Sequence, residues 1–140
     1  MSSPARSIRT AAWLGDAFYE LEIRRRIAAR GDWPVARLDR VRADLSRAES
    51  QAELLARIET QLTDEEQNVV SRGRNASVRS GGRVKRDVKA YRGATAFEAL
   101  VCHWFENGEN GRARFDELLA ETLDAMLDEA FRRSEPIKRG

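Results

Sequence analysis

The chain has 140 residues, with 25 Lys and Arg against 23 Asp and Glu, 41% hydrophobic residues and a single cysteine. That length fits one globular domain, one cysteine excludes an internal disulfide scaffold, and a reducing, cytoplasmic setting is the expectation. No apolar run approaches the ~18–20 residues of a membrane span, and Ala11–Leu14 is interrupted by Gly15-Asp16 before it could form a secretory core.

The periodicity is helical nearly throughout, without sustained alternation of β-branched residues, so the expected class is all-α with about five main helices. The first is predicted from Ser7 to Arg30, closing on Gly31, with Ala11, Ala12, Leu14, Phe18, Leu21 and Ile27 as its apolar positions. Pro34 suits the first turn of a second, which continues to Thr60 with Val35, Leu38, Val41, Leu45, Ala52, Leu55 and Ile58 on its buried side. Thr63-Asp64-Glu65-Glu66 is a capping box that opens a third helix, and Arg72-Gly73-Arg74-Asn75 closes it. Ser77 to Arg86, with Gly81-Gly82, reads as a mobile basic loop. A fourth helix, Asp87 to Asn107, is too apolar for one exposed amphipathic face and should be central. The fifth, Gly111 to Arg132, carries a stripe from Phe115 to Ala130, and residues 133–140 form an expected tail.

The near-neutral total conceals an uneven distribution of charge. From Arg72 to Arg92 there are eight basic residues and one acid, whereas the other 119 residues hold 17 bases and 22 acids. A concentrated basic segment suits phosphate-backbone binding; a solvated loop is the plain alternative. Two carboxylates also stand in apolar runs. Asp16 lies between Leu14-Gly15 and Ala17-Phe18, and Glu98 between Ala96-Phe97 and Ala99-Leu100. A carboxylate in such a setting must be paired, hydrogen-bonded or bound to a cation. Salt bridges to arginine are one solution, and a shared divalent cation is the other, since oxygen donors suit Mg²⁺ or Mn²⁺.

Five blocks, Leu14-Gly15-Asp16-Ala17, Ser50-Gln51-Ala52-Glu53-Leu54-Leu55, Arg72-Gly73-Arg74-Asn75-Ala76, Tyr91-Arg92 and Thr95-Ala96-Phe97-Glu98-Ala99-Leu100, together resemble the ribonuclease III catalytic domain, specifically its compact Mini-III branch. That branch lacks the double-stranded RNA-binding domain of the classical enzymes, and this length leaves no room for one. The resemblance implies a catalytic domain over residues 1–132, with Asp16 and Glu98 as metal ligands and Glu53 as a further acidic residue. It implies a homodimer hydrolysing phosphodiesters in double-stranded RNA with Mg²⁺, Mn²⁺ being a substitute. The implied substrates are ribosomal RNA precursors, chiefly of the large subunit (23S-type), with a ribosomal protein as a candidate partner.

Arg72, Arg74, Asn75, Arg83, Lys85 and Arg86 are then the expected RNA contacts, because A-form duplexes are recognised through phosphates and shape. Classical enzymes carry glutamates seven and four residues before the signature aspartate, where this chain has Arg9 and Ala12, and an aspartate three before the late glutamate, where it has Thr95. His103 and Cys102 are expected to be structural, and Trp13, Trp33 and Trp104 to serve core or interface packing. Two other functions compete: a non-catalytic, ribosome-associated RNA binder of the same fold, and a helical DNA-binding module. The second leaves the apolar-face carboxylates unexplained.

Overall fold

A computed structural model describes residues 6–77 and 88–135 of the chain. The described residues are all-helical: α1 (Ile8–Arg30), α2 (Val35–Ser46), α3 (Ala48–Ile58), a 3-10 turn (Glu59–Gln61), α4 (Asp64–Ser77), α5 (Val88–Phe105) and α6 (Gly108–Arg133). None of these helices is long and apolar enough to cross a membrane.

Ser7 caps α1 by accepting a hydrogen bond from the Thr10 N–H at 3.1 Å, which satisfies one of the unpaired donors of a helix start. The buried stripe of α1 is Ala12, Gly15, Tyr19, Ile23 and Ile27. That stripe is rotated from the expected one: Leu21 lies exposed, and Ile23 takes its place in the core. Val35, expected inside, is likewise exposed at the first turn of α2.

The predicted second helix is two helices. The chain breaks at Arg47, whose φ of −62° and ψ of 150° are extended, so the expected five main helices are six. Polar groups from elsewhere satisfy the carbonyls this break releases. The Tyr19 hydroxyl donates to the Leu45 carbonyl at 2.6 Å, and the Ser50 hydroxyl to the Asp44 carbonyl at 2.6 Å. Apolar periodicity continues across the break because both segments pack on the same core, which hid it from a pattern-based reading.

The capping box forms as expected: the Glu66 N–H donates to Thr63 Oγ1 at 3.2 Å, and the Thr63 N–H to Glu66 Oε1 at 2.8 Å. Glu66 does more than cap. Buried beneath α5 and α6, its carboxylate also accepts the Trp104 indole N–H at 2.7 Å and Arg114 Nε at 3.0 Å.

The central element is α5, packed against α1, α3, α4 and α6. Ala96, Phe97, Leu100, Val101 and Trp104 are buried along it, and Phe115, Leu119, Leu123 and Leu127 of α6 close the core. Each such Leu or Phe contributes about 1.5–3 kcal/mol through burial. The tail begins later than residue 133, since α6 runs to Arg133 and Ser134 Oγ accepts Arg37 Nε at 2.9 Å. Residues 136–140 lie outside the described residues.

Candidate active site

Two close approaches assemble the site. At Gly15, an added Cβ would lie 1.7 Å from the Glu98 carbonyl oxygen and 3.2 Å from the Cys102 nitrogen, so α1 crosses α5 with backbone against backbone. Any side chain at this position would force the helices apart. At Gly73, an added Cβ would lie 2.7 Å from Ala96 Cα, which sets α4 against α5 two residues before Glu98. The Gly15-Asp16 pair therefore combines a packing device with a carboxylate: Gly15 closes the crossing, and Asp16 places its carboxylate there.

Asp16 and Glu98, 82 positions apart in sequence, meet at this crossing. Glu98 is half-buried on α5, whereas Asp16 is exposed on α1. Burial pushes the Glu98 carboxyl up to about 8, and the adjacent Asp16 adds to the rise through a hydrogen bond that favours the protonated form and through like charge. Gln51 acts in the opposite sense. Its side chain, 2% exposed on α3, hydrogen-bonds the Glu98 carboxylate. Sequence reading noted Gln51 within a motif without giving it a role; an amide on the helix face otherwise formed by Leu54, Leu55 and Ile58 is the signal that points to it.

This donor set fits a divalent cation. Two oxygen donors of like charge, one partly desolvated, repel each other unless a proton or a cation lies between them. No group of three or more His, Cys, Asp or Glu able to hold a metal occurs among the described residues, so the site comprises a pair rather than a full ligand cage. Glu53, the further acidic candidate, is not brought to this pair. It is 56% exposed on α3 and bonds Arg57 at 3.0 Å, one turn away.

Arg72 and Asn75 are exposed at the end of α4. With Ser7, Ile8, Arg9 and Ala76 they line a depression of about 510 Å³, where Arg9 Nη2 also donates to the Ala76 carbonyl at 3.1 Å. Asn75 joins this to a second depression of about 550 Å³ lined by Glu59, Thr60, Gln67, Ser71 and Arg74. Arg74, expected as a phosphate contact, has its guanidinium engaged by Glu59 through two bonds of 2.7 Å. Arg83, Lys85 and Arg86 lie outside the described residues.

The remaining candidates have structural surroundings. Cys102 is buried, and burial with Glu106 nearby pushes its thiol up to about 11, which leaves it unreactive at neutral pH. His103 Nε2 stands 4.0 Å from Glu65 at the surface. Trp104 is core, and Trp33 packs on Phe131 with ring centroids 4.7 Å apart. Trp13 is 76% exposed, so it has no place in the core of the single chain.

Residues 10–109 match the Ribonuclease III domain family. Among similar proteins, Mini-ribonuclease 3 of Desulfitobacterium hafniense is 44% identical over 74% of this chain and 64% of its own length. Mini-ribonuclease 3 of Symbiobacterium thermophilum is 39% identical over 85% of this chain and 86% of its own. A Fusobacterium nucleatum protein of known crystal structure shares the fold with a TM-score of 0.77, covering 90% of this chain and 94% of its own at 23% identity.

Proposed function

The chain belongs to the ribonuclease III family as an endoribonuclease of the Mini-ribonuclease 3 type, and on that premise we propose that it hydrolyses double-stranded RNA with Mg²⁺ held by Asp16 and Glu98. The observation that carries this reading is the meeting of those two carboxylates, one from each helix, at the Gly15 crossing. When bound, a divalent cation supplies an ionised water for attack and offsets charge on the leaving 3′ oxygen, so no nucleophilic side chain is required.

The chain's own residues prepare the site. Gly15 fixes the distance between the helices, and Gln51 orients Glu98 and opposes its protonation. Arg72 and Asn75 face the depression beside the N-terminal end of α1, where Arg9 stands two turns before Asp16, about 10 Å along the helix. Phosphates of a duplex passing Asp16 meet these residues, together with the basic residues Arg83, Lys85 and Arg86. Arg74 joins them by exchanging Glu59 for a phosphate.

Homodimerisation belongs to the same reading. Trp13 precedes Asp16 by three residues on α1, and its exposed ring needs cover that a second copy supplies. Two sites then address the two strands of one duplex. Ribosomal RNA precursors of the large subunit are the proposed natural substrate, with a ribosomal protein as the proposed helper.

The test is incubation of long duplex RNA, single-stranded RNA and duplex DNA with the purified protein, with Mg²⁺ or with chelator. Cleavage of duplex RNA alone, and only with Mg²⁺, is expected. Cleavage of none of them would sink the proposal, and binding of RNA without cutting would favour a ribosome-associated role. Sedimentation showing only monomer at micromolar concentration counts against the dimer.

A further inference from the structure

Along α5 from Gly93 to Cys102 every residue is buried except Thr95 and Glu98, and the partly open position before them is Arg92. Arg92, Thr95 and Glu98 follow one another at steps of three, so each is the neighbour of the last on the helix surface. They form one open ridge of α5, with Arg92 about 9 Å along the axis from Glu98. The neighbouring helix α4 meets α5 where Gly73 packs on Ala96, one turn after Arg92, and Arg72 and Asn75 are exposed on either side of Gly73. Building on the RNA reading above, we infer that Arg92 binds a backbone phosphate of the duplex beside the scissile one, and so sets where the strand lies across Asp16 and Glu98.

Arg92 differs from the other partly buried arginines among the described residues. Arg26, Arg42, Arg74 and Arg114 donate to carboxylates, and Arg37 donates to the Ser134 hydroxyl and the Phe131 carbonyl. Arg92, also partly buried, has no ion pair or side-chain hydrogen bond among the described residues, and its Nε is buried without an acceptor. A buried donor left unsatisfied is costly, and an arginine serving only the fold would be expected to have its acceptor in place, as the other five do. Glu98, two steps along the ridge, does not supply one, being engaged with Asp16 and Gln51. A phosphate fits the need, since two of its oxygens can accept from Nε and a terminal nitrogen of the guanidinium together.

The experiment is binding of a defined RNA duplex in chelator, so that turnover plays no part, with affinity measured across a salt series. Arg92→Gln is expected to weaken binding about tenfold at about 0.1 M salt and to lower the slope of log affinity against log salt by about one. Arg40→Gln is the same change of charge at an exposed position of α2, which packs on α1, α3 and α6. It should stay within about twofold of the unmutated protein. Arg92→Lys keeps the charge but not the planar fork, so the slope should hold while affinity falls several-fold, and this variant decides the matter if Arg92→Gln does not fold. Unchanged affinity and slope in Arg92→Gln, unchanged affinity in Arg92→Lys, or an equal loss in Arg40→Gln overturns the assignment of Arg92 and leaves the nuclease reading in place. Absence of duplex-RNA binding by the unmutated protein even at low salt overturns the RNA reading itself, and the role of Arg92 with it.

Discussion

Glu66 and Glu98 are both carboxylates set among apolar residues, and they are held in opposite ways. For each, burial favours the protonated form. At Glu66, Arg114, the Thr63 N–H and the Trp104 indole outweigh burial and hold the carboxyl down to about 2. At Glu98 the neighbouring group is another carboxylate, and the carboxyl rises to about 8. The first region is complete: four donors surround one anion and tie α4 to α5 and α6. The second has an excess of acceptors and only Gln51 to oppose protonation. A buried carboxylate with its donors in place serves the fold, whereas one facing a second carboxylate needs a shared proton or cation between them.

Removing acceptors from the incomplete region should have the largest effect. Asp16→Asn and Glu98→Gln are each expected to reduce duplex-RNA cleavage at least about a thousandfold, read as single-turnover rates, because each removes charge from the cation site. Next comes the crossing itself. Gly15→Ala places a methyl group against the Glu98 carbonyl and should cost about 3 kcal/mol or more in urea unfolding, with activity lost in proportion to the displaced helices.

The complete region offers the converse. Glu66→Gln leaves Arg114 with only the exposed Glu117, 3.6 Å away, as a counter-charge and should cost about 2–3 kcal/mol, moderated by the partial exposure of Arg114, with no change in Mn²⁺ affinity. The effect has a pH signature. Folded Glu66 ionises near 2 and an unfolded glutamate near ~4.3. Its stabilisation is therefore present above the unfolded value and is lost as pH falls through the folded one. Acid-unfolding curves of the unmutated protein and Glu66→Gln should converge from about pH 4.5 toward pH 2. The smallest effect has the opposite sign: in chelator at neutral pH, Glu98→Gln removes a carboxyl that burial and Asp16 oblige to take up a proton on folding, and should raise Tm by about 3 °C, corresponding to roughly 1 kcal/mol. A fall in Tm would place Glu98 with Glu66 as a structural group.

How far the sequence foretold this arrangement depended on the kind of signal. The capping box at Thr63 and Glu66 was readable because it is local, four residues satisfying their own backbone. The centrality of α5 followed from its composition. Asp16 and Glu98 stood out because charge interrupted apolar runs, and family resemblance linked them. The break at Arg47 was not readable, since apolar periodicity runs across it and Tyr19, which satisfies the freed Leu45 carbonyl, acts from 26 positions away. The wider role of Glu66 was hidden for the same reason, as Arg114 lies 48 positions away. Glu53 drew attention through its motif, but helix phase turns it toward Arg57 and solvent, while Gln51, two residues earlier, faces Glu98.

In the proposed mechanism Asp16 and Glu98 act together on a cation to cut duplex RNA. Its most direct test is the single-turnover cleavage rate of one defined RNA duplex, measured across a Mg²⁺ titration for the unmutated protein, Asp16→Asn and Glu98→Gln, each first shown to unfold cooperatively. The expected result is Mg²⁺-dependent cleavage by the unmutated protein and at least about a thousandfold loss in both folded variants. Cleavage that persists in chelator, or undiminished rates in either variant, would contradict it.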